Sequence, residues 1–277
     1  MSVTHLGIVG AGTMGAGIAI NALISGLTVT LVDRSPEVLD KAKAKLARFL
    51  ARQVEKGRLA PDAVPEISGR LTTAADATAL ADCDMVIEAV FENLELKKAI
   101  FADLEQHVSA GCVLATNTSC LRLVDIAEGL RIPARFCGLH YFSPAEINPV
   151  VEMIQGAQTD PAVLETAAAF LKATGKEAIA CKDQNGFALN RFFCPYTNEA
   201  VHMLDGRAGH HRTIGRHGAR GLWSGAGALC GDEHYRDSHQ PERRTKSGGV
   251  GAVLHAGQGS GHTRGSEYPM GDRSGPC

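Results

Sequence analysis

Short apolar runs alternate with amphipathic helical segments along the first 204 residues, and this alternation limits the fold more than any other feature. Runs such as TVTLVD, DMVIEAV and PVVEMI are rich in apolar and β-branched residues, as expected of parallel strands buried on both faces. Alternating β and α units predict an α/β fold with a doubly wound, Rossmann-type, mainly parallel sheet. In such sheets ligands bind beyond the carboxyl ends of the strands. We therefore expect the site residues to lie directly after strands.

The composition changes abruptly after residue 204. Residues 205–277 contain 17 of the 31 glycines and 7 of the 11 histidines, but no phenylalanine. So few large apolar side chains cannot offset the conformational entropy lost on ordering the segment. We predict a Rossmann domain at 1–182, the first helix of a second domain at 183–205, and a disordered tail at 206–277.

Charge and cysteine usage narrow the class of protein. A net charge of −2 gives no electrostatic reason to expect a nucleic acid or an anionic membrane as partner. No apolar run approaches the roughly 20 residues that a membrane-spanning helix needs, and no signal peptide is expected. The eight cysteines include no C-x-x-C pair, which favours free thiols in a reducing cytoplasm over disulfides or a metal site.

A glycine-rich turn follows the first strand and opens the first helix. Gly10, Gly12 and Gly15 have the spacing that allows a tight turn and a close approach of the backbone to a pyrophosphate. Asp33 ends the second strand about 20 residues later, where its carboxylate can accept from both ribose hydroxyls. That charge favours NAD over NADP, although Arg34 beside it leaves NADP open. The alternative is a structural turn with Asp33 as a helix cap.

A histidine and a carboxylate are predicted on two successive strands. His140 ends the run RFCGLH, and Glu152 lies within PVVEMI between apolar residues. An isolated buried carboxylate is costly and should have a partner. If Glu152 accepts from one imidazole nitrogen, the other becomes a general base for a hydroxyl proton. The alternatives are a hydrogen-bonded structural histidine and a hydrated charge on an edge strand.

Two further positions are ambiguous by pattern alone. Asn117 and Ser119 follow the strand CVLAT, and Ser119 could donate to a substrate oxygen or cap the helix LRLVDIAE. Asn190, in NGFALNRF, has the spacing of a solvated polar residue on a helix.

Six ordered motifs together resemble the 3-hydroxyacyl-CoA dehydrogenases: GIVGAGTMGAGIA, VIEAVFENLELKKAIF, ATNTS, GLHYFSP, PVVEMI and CKDQNGFALNRF. The resemblance covers residues 3–205. It implies NAD-dependent oxidation of an (S)-3-hydroxyacyl-CoA to a 3-oxoacyl-CoA in fatty-acid metabolism, including β-oxidation. It further implies an acyl-CoA substrate, an all-helical second domain and a homodimer.

The resemblance also assigns roles to residues. His140 matches the catalytic base, Glu152 its orienting carboxylate, Ser119 a contact to substrate and nicotinamide, and Asn190 a substrate contact. Lys56 matches a contact to coenzyme A, although an exposed lysine at a helix end is an equal alternative. The expected cofactor-binding positions are Gly10, Ala11, Gly12, Thr13, Met14, Gly15, Asp33, Glu92, Lys97, Asn117, Ser119 and Ser143.

The chain departs from the family pattern in places. Ser143 stands where many members have the longer asparagine, and Cys120 stands where a second serine is common. After Leu204 no family sequence continues. A shifted reading frame of the gene is one explanation, which an absence of family-like sequence in the other frames would remove. A natural disordered extension and a histidine-rich metal-binding segment are the others, and the second is disfavoured.

Three functions therefore stay open. The chain is an active dehydrogenase of this family, a catalytically impaired NAD-binding remnant of it, or a related dehydrogenase that acts on a free hydroxy acid.

Overall fold

The computed structural model describes residues 2–205, which form one sheet flanked by helices. The strands are β1 (His5–Val9), β2 (Thr28–Val32), β3 (Leu71–Ala74), β4 (Met85–Glu88), β5 (Val113–Thr116), β6 (Phe136–Tyr141), β7 (Val150–Gln155) and β8 (Glu177–Lys182). The α-helices are α1 (Thr13–Ile24), α2 (Pro36–Glu55), α3 (Ala63–Gly69), α4 (Leu94–His107), α5 (Leu123–Ala127), α6 (Pro161–Ala173) and α7 (Leu189–Asp205). Short 3-10 helices span Ala77–Leu80 and Pro133–Arg135. The predicted tail at 206–277 lies outside the described residues.

The strand order is β3-β2-β1-β4-β5-β6-β7-β8. All neighbouring pairs are parallel except β6 and β7, which are antiparallel. The order reverses between β1 and β4, and this is the switch point where doubly wound sheets bind ligands. The predicted Rossmann-type sheet is confirmed.

Two apolar clusters cover the two faces of the sheet. One contains residues of α1, α2 and α6, and the other contains residues of α4 and α5. Along β4 the side chains alternate, with Met85 and Ile87 in the first cluster and Val86 in the second. This alternation places helices on both faces, and it explains why the strands are apolar nearly throughout.

Local signals fix the ends of several helices. Ser35 caps α2 by accepting from the Val38 amide at 3.3 Å, and Pro36 occupies the first helical position. Gly26 and Gly175 follow α1 and α6 with φ of 94° and 70°, a left-handed conformation that glycine adopts without steric cost. The two glycines therefore end these helices.

Two elements were not predicted. The edge strand β3 has the sequence LTTA, which is too short and polar to resemble a buried strand, and the short helix α3 precedes it.

Within residues 2–205 no helix combines the length and apolar character that a bilayer crossing requires.

Candidate active site at the carboxyl edge of the sheet

The glycine turn after β1 is shaped by two of its three glycines. Gly10 has φ of 98°, and a Cβ on Gly15 would lie 1.8 Å from the Gly10 carbonyl oxygen. Both positions therefore exclude a side chain for reasons internal to the fold. A Cβ on Gly12, in contrast, would meet nothing within 4 Å. The turn thus leaves open space at Gly12, as an approaching ligand requires.

Asp33 lies beside this turn. Its Oδ2 accepts from the Ala11 amide at 2.8 Å and its Oδ1 from the Ser35 amide at 3.0 Å. The alternative that Asp33 caps α2 is wrong, because Ser35 occupies the cap position. Helix α1, which contains Thr13 and Met14, begins without a side-chain cap and has no acidic residue in its first turn. Its N-terminus can therefore attract an anion.

His140 and Glu152 face each other across β6 and β7. The two residues are paired in the antiparallel register, so their side chains lie on the same face of the sheet. His140 Nδ1 is 2.8 Å from Glu152 Oε2, and the residues are only 5% and 3% exposed. The expected contact between them is present. The alternative of a hydrated edge charge at Glu152 is wrong, because β8 covers that side of β7.

The protonation of this pair follows from its surroundings. Burial raises the pKa of Glu152, but hydrogen bonds from His140 and the Leu189 amide outweigh it, so the pKa lies below its usual value. An ionised carboxylate can only accept, and His140 Nδ1 must therefore carry the proton. The lone pair of a neutral imidazole then resides on Nε2, which has no hydrogen bond to any described residue.

Ser119 lies in an exposed turn after β5 that two other site residues hold. Its amide donates to Glu92 Oε1 at 2.9 Å, and its carbonyl oxygen accepts from Asn190 Nδ2 at 2.9 Å. Asn190 is therefore not merely solvated, and the structure brings Glu92, Ser119 and Asn190 together. Both contacts use the backbone of Ser119, and the residue is exposed.

The alternative that Ser119 caps the following helix is wrong. Helix α5 begins at Leu123, and its first amides are satisfied from far away in the chain. Asp183 accepts from the Leu123 and Val124 amides at 2.7 and 2.9 Å. A cap 60 residues distant leaves no local signal in the sequence.

A buried charge cluster lies next to the Ser119 turn. Glu88, at the end of β4, is fully buried; its Oε1 accepts from Lys97 Nζ at 2.6 Å and its Oε2 from the Thr116 hydroxyl at 2.7 Å. Lys97 Nζ also lies 3.5 Å from Glu92 Oε2. Burial raises the pKa of Glu92, but the hydrogen bond from Thr118 and the charge of Lys97 outweigh it and hold that pKa below its usual value.

This cluster changes the view of Lys97. Its side chain is 1% exposed, so in this structure it faces the two carboxylates and not an open cofactor surface. Glu88 was not predicted as a site residue. Its signal was available, because an acid inside the apolar run DMVIEAV needs a buried partner just as Glu152 does.

The remaining predicted residues are spread along the same edge and beyond it. Asn117 is buried, and its Oδ1 accepts from the Tyr141 amide at 2.8 Å, which joins the ends of β5 and β6. Ser143 is exposed in the connection between β6 and β7. Lys56 is exposed directly after α2, and no contact joins it to the other site residues. Within residues 2–205 no group of three His, Cys, Asp or Glu side chains could hold a metal ion.

A buried lysine, which was not predicted from the sequence, holds the connection at residues 142–149. Lys176 Nζ donates to the carbonyl oxygens of Ala145 and Asn148, both at 2.7 Å. Burial lowers the pKa of Lys176 to about 8. A second lysine, Lys45, pairs with Glu146 of the connection at 3.0 Å. The loop that joins the strands of His140 and Glu152 is therefore anchored at several points.

The chain is similar in sequence and in fold to known dehydrogenases. Residues 5–184 match the family described as "3-hydroxyacyl-CoA dehydrogenase, NAD binding domain". A Caenorhabditis elegans protein named "Probable 3-hydroxyacyl-CoA dehydrogenase" is 37% identical over 209 residues, covering 74% of this chain and 70% of the relative. The mitochondrial hydroxyacyl-coenzyme A dehydrogenase of Rattus norvegicus is 35% identical over 73% of this chain and 66% of its own length. The crystal structure of (S)-3-hydroxybutyryl-CoA dehydrogenase from Ralstonia eutropha superposes with a TM-score of 0.75 at 33% identity, covering 80% of this chain and 78% of that one.

Proposed function

Because the chain belongs to the 3-hydroxyacyl-CoA dehydrogenase family, we propose that it oxidises an (S)-3-hydroxyacyl-CoA to the 3-oxoacyl-CoA with His140 as general base. The family is one of NAD-dependent oxidoreductases, and NAD is the cofactor. The proposal rests above all on the 2.8 Å contact of His140 Nδ1 with Glu152 Oε2, which leaves Nε2 free at the carboxyl edge of the sheet.

The residues after β1 and β2 fit a dinucleotide. The open space at Gly12 and the uncapped start of α1 suit a pyrophosphate, and the Asp33 carboxylate suits a ribose. A nicotinamide cofactor held by these residues would supply the acceptor for the hydride that leaves the carbon bearing the substrate hydroxyl. Glu92 and Lys97 then contribute through the Ser119 turn, which they hold from its buried side.

His140 and Glu152 divide the work of moving the proton. Nε2 of the neutral imidazole takes the hydroxyl proton as the hydride leaves the same carbon. The imidazolium that results is paired with the ionised Glu152, which stabilises the new positive charge in a buried setting. In the reverse direction the same Nε2 returns the proton to the carbonyl oxygen.

Ser119 and Asn190 orient the substrate in this proposal. The hydroxyl of the exposed Ser119 can donate to the substrate oxygen, and Asn190 keeps its side-chain oxygen and one amide proton after bonding the Ser119 carbonyl. Lys56 remains a proposed contact for coenzyme A. The predicted cytoplasmic location and homodimer stay predictions.

One experiment tests the proposal directly. NAD binding and acetoacetyl-CoA-dependent NADH oxidation are measured on the full chain, on His140→Gln and on His107→Gln. His107 ends α4 and pairs with Asp103, so it controls for the loss of any histidine. We expect turnover to fall about 10²–10⁴-fold in the first variant, the range that a general base contributes, and to persist in the second. Equal activity in all three proteins would refute the proposed role of His140.

A second candidate function is an NAD-binding module without turnover. It is favoured by one observation: the family match, to an NAD-binding domain, ends at residue 184, and this chain covers only 66% of the length of the rat relative. NAD binding without acetoacetyl-CoA reduction would support this candidate. Free acetoacetate in the same assay tests the third candidate, a dehydrogenase of free hydroxy acids.

A further inference from the structure

The two carboxylate oxygens of Glu152 have different partners. Oε2 faces His140 Nδ1, whereas Oε1 accepts from the Leu189 amide at 2.8 Å and the Ala188 amide at 3.2 Å. The Cys181 thiol lies 3.5 Å from the same Oε1. Only one of the two oxygens is therefore explained by the pairing with histidine.

The amides that bond Oε1 belong to Leu189, the first residue of α7, and to Ala188 directly before it. The first amides of a helix have no partner within it and form its positive end. Glu152, which lies on β7 and pairs with His140, supplies the missing acceptor. Residues on both sides of Leu189 also contact the site: the Phe187 ring centroid is 5.8 Å from that of His140, and Asn190 bonds the Ser119 carbonyl.

We propose that the first turn of α7 is a positioning element of the dyad, acting through the Leu189 N–H on Glu152 Oε1. This inference rests on the proposed function where it concerns catalysis. The N–H fixes the carboxylate in the plane that presents Oε2 to His140. It also stabilises the negative charge and so limits how strongly Glu152 attracts a proton to the imidazole.

The sign of the effect follows from the groups that face Glu152. The titratable ones are His140 from β6 and the Cys181 thiol from β8, while α7 contributes peptide N–H groups. Removing the Leu189 N–H leaves the carboxylate charge less stabilised, which increases the proton affinity of the coupled pair. The imidazole should then become protonated at a higher pH.

The test removes this N–H and little else. Leu189→Pro deletes the donor at the first helical position, where proline is tolerated. Leu189→Ala is the matched control, since it loses the side chain but keeps the N–H. Replacing Leu189 by its α-hydroxy acid, which exchanges the amide for an ester, serves if the proline variant does not fold. The readout is the NMR titration of the His140 ring in the full chain, assigned by the resonance missing from His140→Gln.

We expect the His140 midpoint to rise by about half a pH unit in the proline and ester variants relative to Leu189→Ala, a fraction of what one charge-assisted bond is worth. If the chain turns over substrate, the acidic limb of kcat/KM should move upward with it. An ester variant that is folded and titrates like Leu189→Ala overturns the inference.

The two proposals fail in different ways. A chain that neither oxidises NADH nor binds NAD contradicts the proposed function, yet the His140 titration can still be measured. A chain that turns over normally while the ester leaves the titration unchanged contradicts only the role of α7.

Discussion

The glycine-turn half and the dyad half of the site are assembled in opposite ways. The first half joins Ala11 to Asp33 through one hydrogen bond within β1-α1-β2, and sequence neighbours supply nearly all of it. The second half joins His140 to Glu152 across an antiparallel pair, and Glu152 to Leu189 over 37 residues. The geometry of the first half is thus determined by local backbone sterics. The geometry of the second half is determined by contacts between residues far apart in the sequence.

The largest effect is expected where the glycine turn has no space. Gly15→Ala places a Cβ 1.8 Å from the Gly10 carbonyl oxygen, so we expect a loss of about 5 kcal/mol or more in unfolding free energy, together with NAD binding. Gly12→Ala has open space and should stay as stable as the wild type while losing NAD affinity. Urea unfolding and NAD titration separate the two effects. Equal stability of both variants would mean that the turn is not sterically limited.

Lys97→Met tests the charge cluster that lies between the two halves. The change leaves Glu88 buried without its cation, and breaking a buried pair in this way costs about 3–5 kcal/mol. Both NAD affinity and the geometry at Ser119 should suffer. The double change Lys97→Met with Glu88→Gln should restore part of the stability, as measured by urea unfolding. No recovery in the double variant would argue against the pair as the cause.

Glu152→Gln should affect the dyad half and leave the glycine-turn half unchanged. The neutral amide cannot stabilise an imidazolium, so we expect kcat to fall about 100-fold, at the lower end of what general-base catalysis contributes. NAD affinity should stay within about twofold, because the glycine turn lies on other strands. A parallel loss of NAD affinity, measured by titration, would show that the halves are coupled.

Asp33→Asn changes the glycine-turn half, and its effect should be smaller than that of Glu152→Gln. The amide oxygen can still accept from Ala11, but the charge that disfavours a 2′-phosphate is gone. We expect about a tenfold loss of NAD affinity, close to 1.4 kcal/mol, and a reduced preference for NAD over NADP. Competitive titrations with both cofactors measure this, and an unchanged preference would assign discrimination to other residues.

The last prediction is a pH dependence in the dyad half. Lys176 has its pKa lowered by burial to about 8 in the folded protein, so the unfolded chain binds more protons above that pH. Its contribution to stability should therefore rise as the pH increases from about 8 to 10. Lys176→Met should flatten this part of the stability profile, measured by urea unfolding at each pH. A wild-type profile that falls by the same amount as the variant's would contradict the assignment.

The sequence allowed the glycine turn and Asp33 to be predicted because both depend on short-range spacing. The contact of His140 with Glu152 could also be predicted, since a carboxylate in an apolar run must have a partner. The same argument applies to Glu88, whose partner Lys97 lies nine residues later. That pairing was missed because the family resemblance had already assigned Lys97 to the cofactor.

Other features had no local signal. The cap of α5 comes from Asp183, and the anchor of the 142–149 connection comes from Lys176 after an unremarkable helix end. The antiparallel direction of β7 depends on a connection too short to cross the sheet, whereas parallel neighbours require a longer crossover. These features depend on contacts between residues far apart in the chain, and a short window of sequence does not contain both partners.

The antiparallel register of β6 and β7 also limits how this enzyme can diversify. Inserting one residue within either strand would turn every following side chain to the opposite face and separate histidine from glutamate. Inserting residues in the connection leaves the pairing intact, provided that two carbonyl groups still reach the Lys176 ammonium. The connection can therefore change in length without separating the dyad, while a one-residue insertion in either strand cannot be tolerated.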